Sequence, residues 1–176
     1  MSLAVGPFDV AAALLAAAGA SKVLAPQDTA VALRAAGIPT PPLLVRVGGL
    51  AEALIGVAAI ATGSWITAVL VGASYAGFAA FVLVARRGGT PLASCGCFGK
   101  ADTPPTRLHV VVNLGAVAAS VAVALDPGPG LAGVLRRQPL AGVPFVLLVV
   151  IGAALAYLAL TSLPRVLALV PRRGER

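Results

Sequence analysis

The sequence has little charge, few aromatic residues and almost no side chains with acid–base or metal-binding chemistry. Of its 176 residues, 11% are charged and 5% are aromatic, and it contains one histidine and two cysteines. Soluble domains carry about 25% charged residues, so the composition argues against a soluble domain. Tetrahedral zinc and iron–sulfur centres need four ligands, so the shortage of cysteine and histidine argues against either centre within one chain.

Apolar residues make up 59% of the chain, and they lie in long runs that do not alternate with polar residues. Five runs stand out, at 10–20, 50–60, 65–85, 110–125 and 143–163. A hydrocarbon layer about 30 Å thick needs roughly 20 helical residues. The third and fifth runs are long enough alone, and the others reach this length by including Lys22, Arg46 or Asn113. The pattern predicts an all-α, polytopic transmembrane helix bundle with five spans.

Proline and glycine divide the chain between these runs. We expect a first helix over about 8–24, ended by Pro26 and followed by a loop to residue 42, because proline interrupts helices. Residues 1–7 contain no Lys or Arg, so the first helix is predicted to be retained rather than cleaved as a signal peptide. Helices over about 43–61 and from 65 are joined only by T-G-S and must form an antiparallel hairpin.

The second half is divided in the same way. A loop at 86–107 precedes a fourth helix over about 108–125 and D-P-G-P-G then breaks the chain, which predicts a membrane domain over 1–125. Residues 126–176 are predicted to form a linker with an interfacial segment at 131–138, a fifth helix and a basic tail. Pairs such as Gly49 with Ala53 and Gly72 with Ala76 suggest close helix packing.

The positive charge is distributed as a topology signal. The net charge is +7, yet the basic residues flank the apolar runs and form no stripe with aromatics, so no nucleic-acid partner is expected. With five spans, Arg136 and Arg137 fall on one side and eleven basic residues on the other: Lys22, Arg34, Arg46, Arg86, Arg87, Lys100, Arg107, Arg165, Arg172, Arg173 and Arg176. We expect the membrane to be the plasma membrane. The positive-inside rule then predicts that the N-terminus lies outside and that the 86–107 loop lies at the cytoplasmic face.

The two cysteines, Cys95 and Cys97, are separated only by Gly96. A disulfide between them closes a very small ring, so it gives almost none of the stabilisation of a long closed loop and is easily reduced. Cationic neighbours in the sequence favour the reactive thiolate. The spacing favours thiol–disulfide exchange. A pair of ordinary interfacial cysteines and a Cu(I) site held by both thiolates remain open alternatives.

Four polar residues outside this loop are further candidates. Glu52 falls inside an apolar helix, where a lone carboxylate costs several kcal/mol, so it should face the bundle interior with Lys22 or Arg46 as its partner. Such a pair is either structural or a proton or substrate site. His109 is either a polar anchor or a proton acceptor for a thiol. Asn113, one turn later, is expected to add interior hydrogen bonds.

Several short motifs occur in the order found in one membrane-protein family. "A-A-G-A-S-K-V-L-A-P", "L-A-E-A-L-I-G-V-A", "S-C-G-C-F-G" and "V-V-N-L" together resemble the methylamine-utilisation MauE family, a branch of the DoxX-like proteins. The resemblance covers about residues 8–125 and implies a four-helix DoxX-like core. Val112 stands where the family usually has an arginine. Residues from 126 onward, including the fifth helix, have no counterpart in that core.

The resemblance also implies a function. Cys95 and Cys97 would be the redox pair, with Gly96, Phe98 and Gly99 completing the motif, in a thiol-disulfide redox protein that assists maturation or redox balance of partner proteins beside a thioredoxin-fold partner. Extracytoplasmic maturation conflicts with the charge count. A relay from a cytoplasmic reductant through a quinone or a partner would resolve the conflict, as would a loop folded back into the bundle. The alternatives are a non-enzymatic membrane assembly or scaffold subunit and a copper- or small-solute-handling membrane protein. Membrane lipid and a second copy of the chain, in a homo-oligomer, are further expected partners.

Overall fold

The computed structural model describes residues 3–87 and 106–162, and the described residues form seven α-helices. In chain order these are α1 (Val5–Leu24), α2 (Pro26–Ala35), α3 (Pro42–Thr62), α4 (Trp65–Arg87), α5 (Arg107–Leu125), α6 (Gly130–Arg137) and α7 (Pro139–Thr161). The predicted all-α polytopic bundle is confirmed.

Five of these helices, α1, α3, α4, α5 and α7, are long and apolar enough to cross a membrane. Their apolar spans have 19 to 21 residues, which corresponds to about 30 Å at 1.5 Å per residue. The five spans expected from the sequence are therefore present. The protein is a multi-pass membrane protein.

The segment after α1 differs from the expected loop. Pro26 does end α1, but it also begins α2, which runs to Ala35. Proline is favoured at the first helical position because its fixed φ suits a helix and its missing N–H has no partner to lose there. Asp28 lies in the first turn of α2 and Arg34 in the last, and both charges suit the helix dipole. The chain therefore turns at Ala25 into a second helix.

Small residues bring α1 and α3 into backbone contact along an antiparallel seam. A Cβ atom added to Gly49 would lie 2.7 Å from Lys22 Cβ and 2.8 Å from the Gly19 carbonyl oxygen. One added to Gly56 would lie 2.5 Å from the Ala12 carbonyl oxygen. Close packing through small residues is the usual way in which helices associate in lipid. Gly49 and Gly56 are therefore required for the approach of these two helices.

The second packed pair is α4 with α5. Gly72 of α4 faces Ser120 of α5. A Cβ atom added to Gly72 would lie 3.1 Å from Ser120 Cβ. Ala76, the other member of the Gly72 pair in the sequence, is exposed. Phe8, Leu15, Val71, Tyr75 and Val123 belong to a buried cluster that joins this pair to α1.

Two glycine turns cross at one end of the bundle, where α1 and α4 begin. Gly63, between α3 and α4, has φ 59°, and Gly130, at the start of α6, has φ 60°. A Cβ added to Gly130 would lie 2.5 Å from the Ala61 carbonyl oxygen. Both positions therefore need glycine for conformation and for space. We call this the Gly63 end, and the opposite end, where α1 and α4 finish and α3 and α5 begin, the Lys22 end.

The last two helices lie against the outside of the bundle. α6 corresponds to the predicted interfacial segment, and it packs on α3 and α7. α7 packs mainly on α1, and only 6% of its apolar span is buried within the protein. Its exposed leucine and valine side chains therefore face the lipid.

Candidate functional site

A buried ion pair joins α1 to α3 near the Lys22 end. Lys22 Nζ lies 2.5 Å from Glu52 Oε2, and the two side chains are 8% and 19% exposed. The same ammonium nitrogen lies 4.5 Å from the centre of the Phe78 ring, within the range of a cation–π contact. The contact between Lys22 and Glu52 that the sequence suggested is therefore present. The other suggested partner, Arg46, instead donates from Nε to the Val23 carbonyl oxygen at 3.2 Å.

The geometry of the two helices explains this pairing. Helical side chains point back toward the N-terminus of their own helix. The long Lys22 side chain therefore extends along α1 toward its N-terminus, that is, toward the Gly63 end. Because α3 runs antiparallel and touches α1 at Gly49, Glu52 lies one turn further along α3 in that same direction.

The ion pair lines a cavity of about 260 Å³, which we call the Lys22 cavity. Its walls come from α1, α2, α3 and α4, and most of them are apolar. They include Lys22, Leu33, Gly48, Glu52, Phe78 and Phe81. The two aromatic rings and the ion pair were not linked by any sequence pattern, because phenylalanine in an apolar helix leaves no distinctive spacing.

His109 is buried at the start of α5. The Thr106 backbone N–H donates to His109 Nδ1 at 3.3 Å, and Thr106 Oγ1 lies 2.9 Å from the same nitrogen. His109 occupies the third helical position, where a side chain that bonds back to the N-cap completes a capping box. Since Nδ1 accepts the backbone N–H, the neutral ring carries its proton on Nε2. This geometry favours the polar-anchor interpretation over a proton acceptor.

Asn113 is also buried, and it lines a small cavity of about 20 Å³ with His109, Tyr75 and Phe78. The Tyr75 hydroxyl donates to the Ala11 carbonyl oxygen at 2.7 Å. The Tyr75 ring meets the Phe78 ring edge to face, with centroids 5.7 Å apart. Polar side chains of α4 and α5 thus lie inside the bundle, next to the aromatic wall of the Lys22 cavity.

Asp9 is a buried acidic residue that the sequence interpretation missed. It is 3% exposed near the start of α1 and lines a cavity of about 20 Å³ at the Gly63 end. Its signal in the sequence was a carboxylate inside the predicted first helix, immediately before the first apolar run, and ionisable residues inside membrane helices usually face the bundle interior. Glu52 lies within its apolar run, which makes it the clearer of the two signals.

The cysteine motif, Cys95, Gly96, Cys97, Phe98 and Gly99, lies outside the described residues. The described chain stops at Arg87 of α4 and resumes at Thr106, immediately before α5. Both points belong to the Lys22 end of the bundle. Within 3–87 and 106–162, no group of three or more His, Cys, Asp or Glu side chains is arranged to hold a metal ion.

One comparison with known proteins gives a match. The family model described as "Methylamine utilisation protein MauE" matches residues 3–126, which covers α1 to α5 and ends one residue after α5. No curated protein and no solved structure matches this chain. The matched range agrees with the extent of the resemblance in the sequence motifs.

Proposed function

This chain belongs to the MauE family, and on that premise we propose that it is a membrane thiol–disulfide redox protein whose working residues are Cys95 and Cys97. The observation that carries the proposal is the C-G-C-F-G motif, which contains both cysteines of the chain and lies within the matched region. A ring closed by this spacing offers exchange chemistry and little stabilisation.

The proposed reaction is oxidation of a dithiol on a thioredoxin-fold partner. A partner thiolate attacks the disulfide between Cys95 and Cys97, forming a mixed disulfide and releasing one of the two cysteines as a thiolate. The second partner thiol then attacks the mixed disulfide. The partner leaves oxidised and the cysteine pair becomes a dithiol, so two electrons and two protons have moved from the partner to this chain.

The two described helices that flank the motif in the chain support this role. α4 and α5 pack as a pair, so the segment between them has two fixed attachment points at one end of the bundle. Arg107 begins α5, ten residues after Cys97 in the sequence, and cationic neighbours favour the thiolate. The basic residues predict that this end faces the cytoplasm of a plasma membrane.

Mass spectrometry of the purified chain with and without reductant tests the redox pair. We expect the untreated protein to lack two hydrogen atoms relative to the reduced form, and we expect Cys95→Ser and Cys97→Ser each to abolish oxidation of a thioredoxin-fold dithiol. Full activity in either variant contradicts the two-thiol mechanism. If both variants keep their cellular function, a scaffold role replaces the proposal. Copper in the purified protein that is lost with either cysteine replaces it with a metal-handling role.

A membrane-impermeant maleimide applied to intact cells tests the orientation. After the disulfide has been reduced, we expect the cysteines to react only once the cells are permeabilised, because the loop is proposed to face the cytoplasm. A single cysteine introduced at Gly128, at the opposite end of the bundle, is the control that should react from outside. The reverse pattern would overturn the orientation. Cross-linking in the membrane tests whether the chain is a homo-oligomer.

A further inference from the structure

The Lys22 cavity combines a charged pair with apolar and aromatic walls, and the proposed cysteine chemistry gives it no use. We propose that it binds the ring of a lipid-soluble quinone, with the Lys22 ammonium donating a hydrogen bond to a ring carbonyl oxygen. The choice of a quinone rests on the proposed redox function, and the existence of a ligand site rests on the cavity.

The size and walls of the cavity suit one substituted ring. Its volume of about 260 Å³ lies just below the range of about 300–1,000 Å³ of most small-molecule sites, which leaves room for a ring but not for a long tail. Phe78 and Phe81 provide aromatic surface on the α4 side. Flat ligands gain from stacked or edge-to-face contacts with such rings.

The polar group in this wall is suited to a carbonyl oxygen. A lysine ammonium has three N–H donors, and among the described residues Glu52 takes one of them. The Phe78 ring covers another face of the ammonium. A donor held in place by a carboxylate and a ring is ready to bind an acceptor, which is how a few placed polar groups orient a ligand in an apolar site.

The cavity also opens toward the lipid. Leu44 and Gly48 line it and are exposed on the outer surface of α3, in its first two turns. Glu52 lies ten residues into α3, or about 15 Å from its start. A ring that enters beside Leu44 can therefore reach the ion pair while its apolar tail remains in the bilayer.

Reoxidation of the cysteine pair requires a two-electron acceptor, and a quinone in the bilayer is one. When the dithiol of Cys95 and Cys97 is reoxidised, two S–H bonds break and one S–S bond forms. The two electrons and two protons convert the quinone's two carbonyls to hydroxyls. The reaction balances with no further reactant, and it returns the disulfide that the proposed exchange consumes.

Direct binding of decylubiquinone to the purified full chain in detergent tests the site. Gly48→Leu fills the cavity, and a Cβ at Gly48 meets no atom within 4 Å, so the fold should tolerate the change. Gly115→Leu is the matched control, because Gly115 is equally open but lies on α5, outside the cavity. We expect saturable binding that Gly48→Leu weakens at least about tenfold and Gly115→Leu leaves within about twofold.

Ligand controls identify the chemistry of the occupant. Decylbenzene has the same tail without oxygen atoms, and decanoate has it with a carboxylate. We expect both to bind at least about tenfold more weakly than decylubiquinone. Tighter binding of decanoate would overturn the quinone in favour of an anionic lipid. Equal binding by wild type and Gly48→Leu would overturn the site itself.

A cysteine-free variant separates this inference from the proposed function. The double variant Cys95→Ser, Cys97→Ser should bind decylubiquinone with unchanged affinity, because the cavity is built from other residues. Binding without oxidation of the wild-type dithiol would support the site and contradict the redox function. Oxidation of a partner without any quinone binding would support the function and contradict the site.

Discussion

Lys22 and Glu52 are thirty residues apart in the chain and meet at 2.5 Å inside the bundle, across two helices whose backbones touch. Neither side chain has a favourable alternative in this environment, since an isolated charge in the apolar part of a membrane protein is costly. The pair therefore links the packing of α1 and α3 to the polarity of the Lys22 cavity.

The two charges are predicted to be energetically coupled. Lys22→Met leaves Glu52 without its partner, Glu52→Gln leaves Lys22 without its partner, and the double variant leaves neither charge. Removing one member of a buried pair costs more than removing both. The double variant should therefore lose less unfolding free energy than the two single variants lose together, and we expect the difference to be about 1–3 kcal/mol. A double-mutant cycle of unfolding free energies in detergent measures this coupling. Additive effects would show that the ion pair contributes nothing beyond its separate side chains.

Adjacent glycines in α3 are predicted to respond in opposite ways to the same substitution. Gly49→Ala places a methyl group 2.7 Å from Lys22 Cβ, and overpacking of this kind costs about 1–3 kcal/mol. Gly48→Ala meets nothing within 4 Å and should be neutral or stabilising by up to about 1 kcal/mol, because alanine favours helix. Thermal unfolding of both variants gives the comparison. Equal melting temperatures would contradict the backbone contact between α1 and α3.

A substitution at His109 distinguishes capping from proton transfer. Glutamine at the third helical position can also accept the N-cap backbone N–H, but it cannot take up a proton from a thiol near neutral pH. We expect His109→Gln to keep the stability within about 0.5 kcal/mol and the rate of thiol oxidation within about twofold. His109→Ala, which removes the cap, should lower stability by about 1 kcal/mol. Loss of oxidation in a stable glutamine variant would assign His109 to the reaction.

The glycine crossing at the Gly63 end gives a fourth prediction. Gly130→Ala requires φ 60° for an alanine and places its Cβ 2.5 Å from the Ala61 carbonyl oxygen. Strain of this kind costs about 1–3 kcal/mol, so the melting temperature should fall. Gly128→Ala is the control, since its Cβ would only touch Val5 Cγ2 at an ordinary 3.8 Å. Similar melting temperatures for the two variants would rule out a tight crossing.

The sequence predicted the membrane helices well because each must be long and apolar regardless of its neighbours. It failed at Pro26, because the same proline that ends one helix also suits the first position of the next, and the short amphipathic α2 does not resemble a span. It suggested both Lys22 and Arg46 as ion-pair partners of Glu52, since the predicted topology places both on the same side of the membrane. Only the contact at Gly49 selects Lys22.

The cavity could not be predicted at all, because it depends on the distances between helices. Its volume results from the absence of side chains, as at Gly48, as much as from the residues present. In the sequence, Phe78 and Phe81 cannot be distinguished by residue type or spacing from phenylalanines that only pack in a bundle. Asp9 could have been identified as an interior residue from its position in the predicted first helix, although its small cavity could not.

The glycine seam between α1 and α3 also restricts how the molecule can change shape. Two helices in backbone contact cannot slide past each other without a clash at Gly49 or Gly56, so they behave as one rigid unit, and α4 and α5 form a second packed unit. The Lys22 cavity lies on the boundary between these units, with Lys22 and Glu52 on one and Phe78 on the other. Widening the cavity therefore requires the two helix pairs to separate at the Lys22 end, while the turn at Gly63 keeps α3 joined to α4 at the other end.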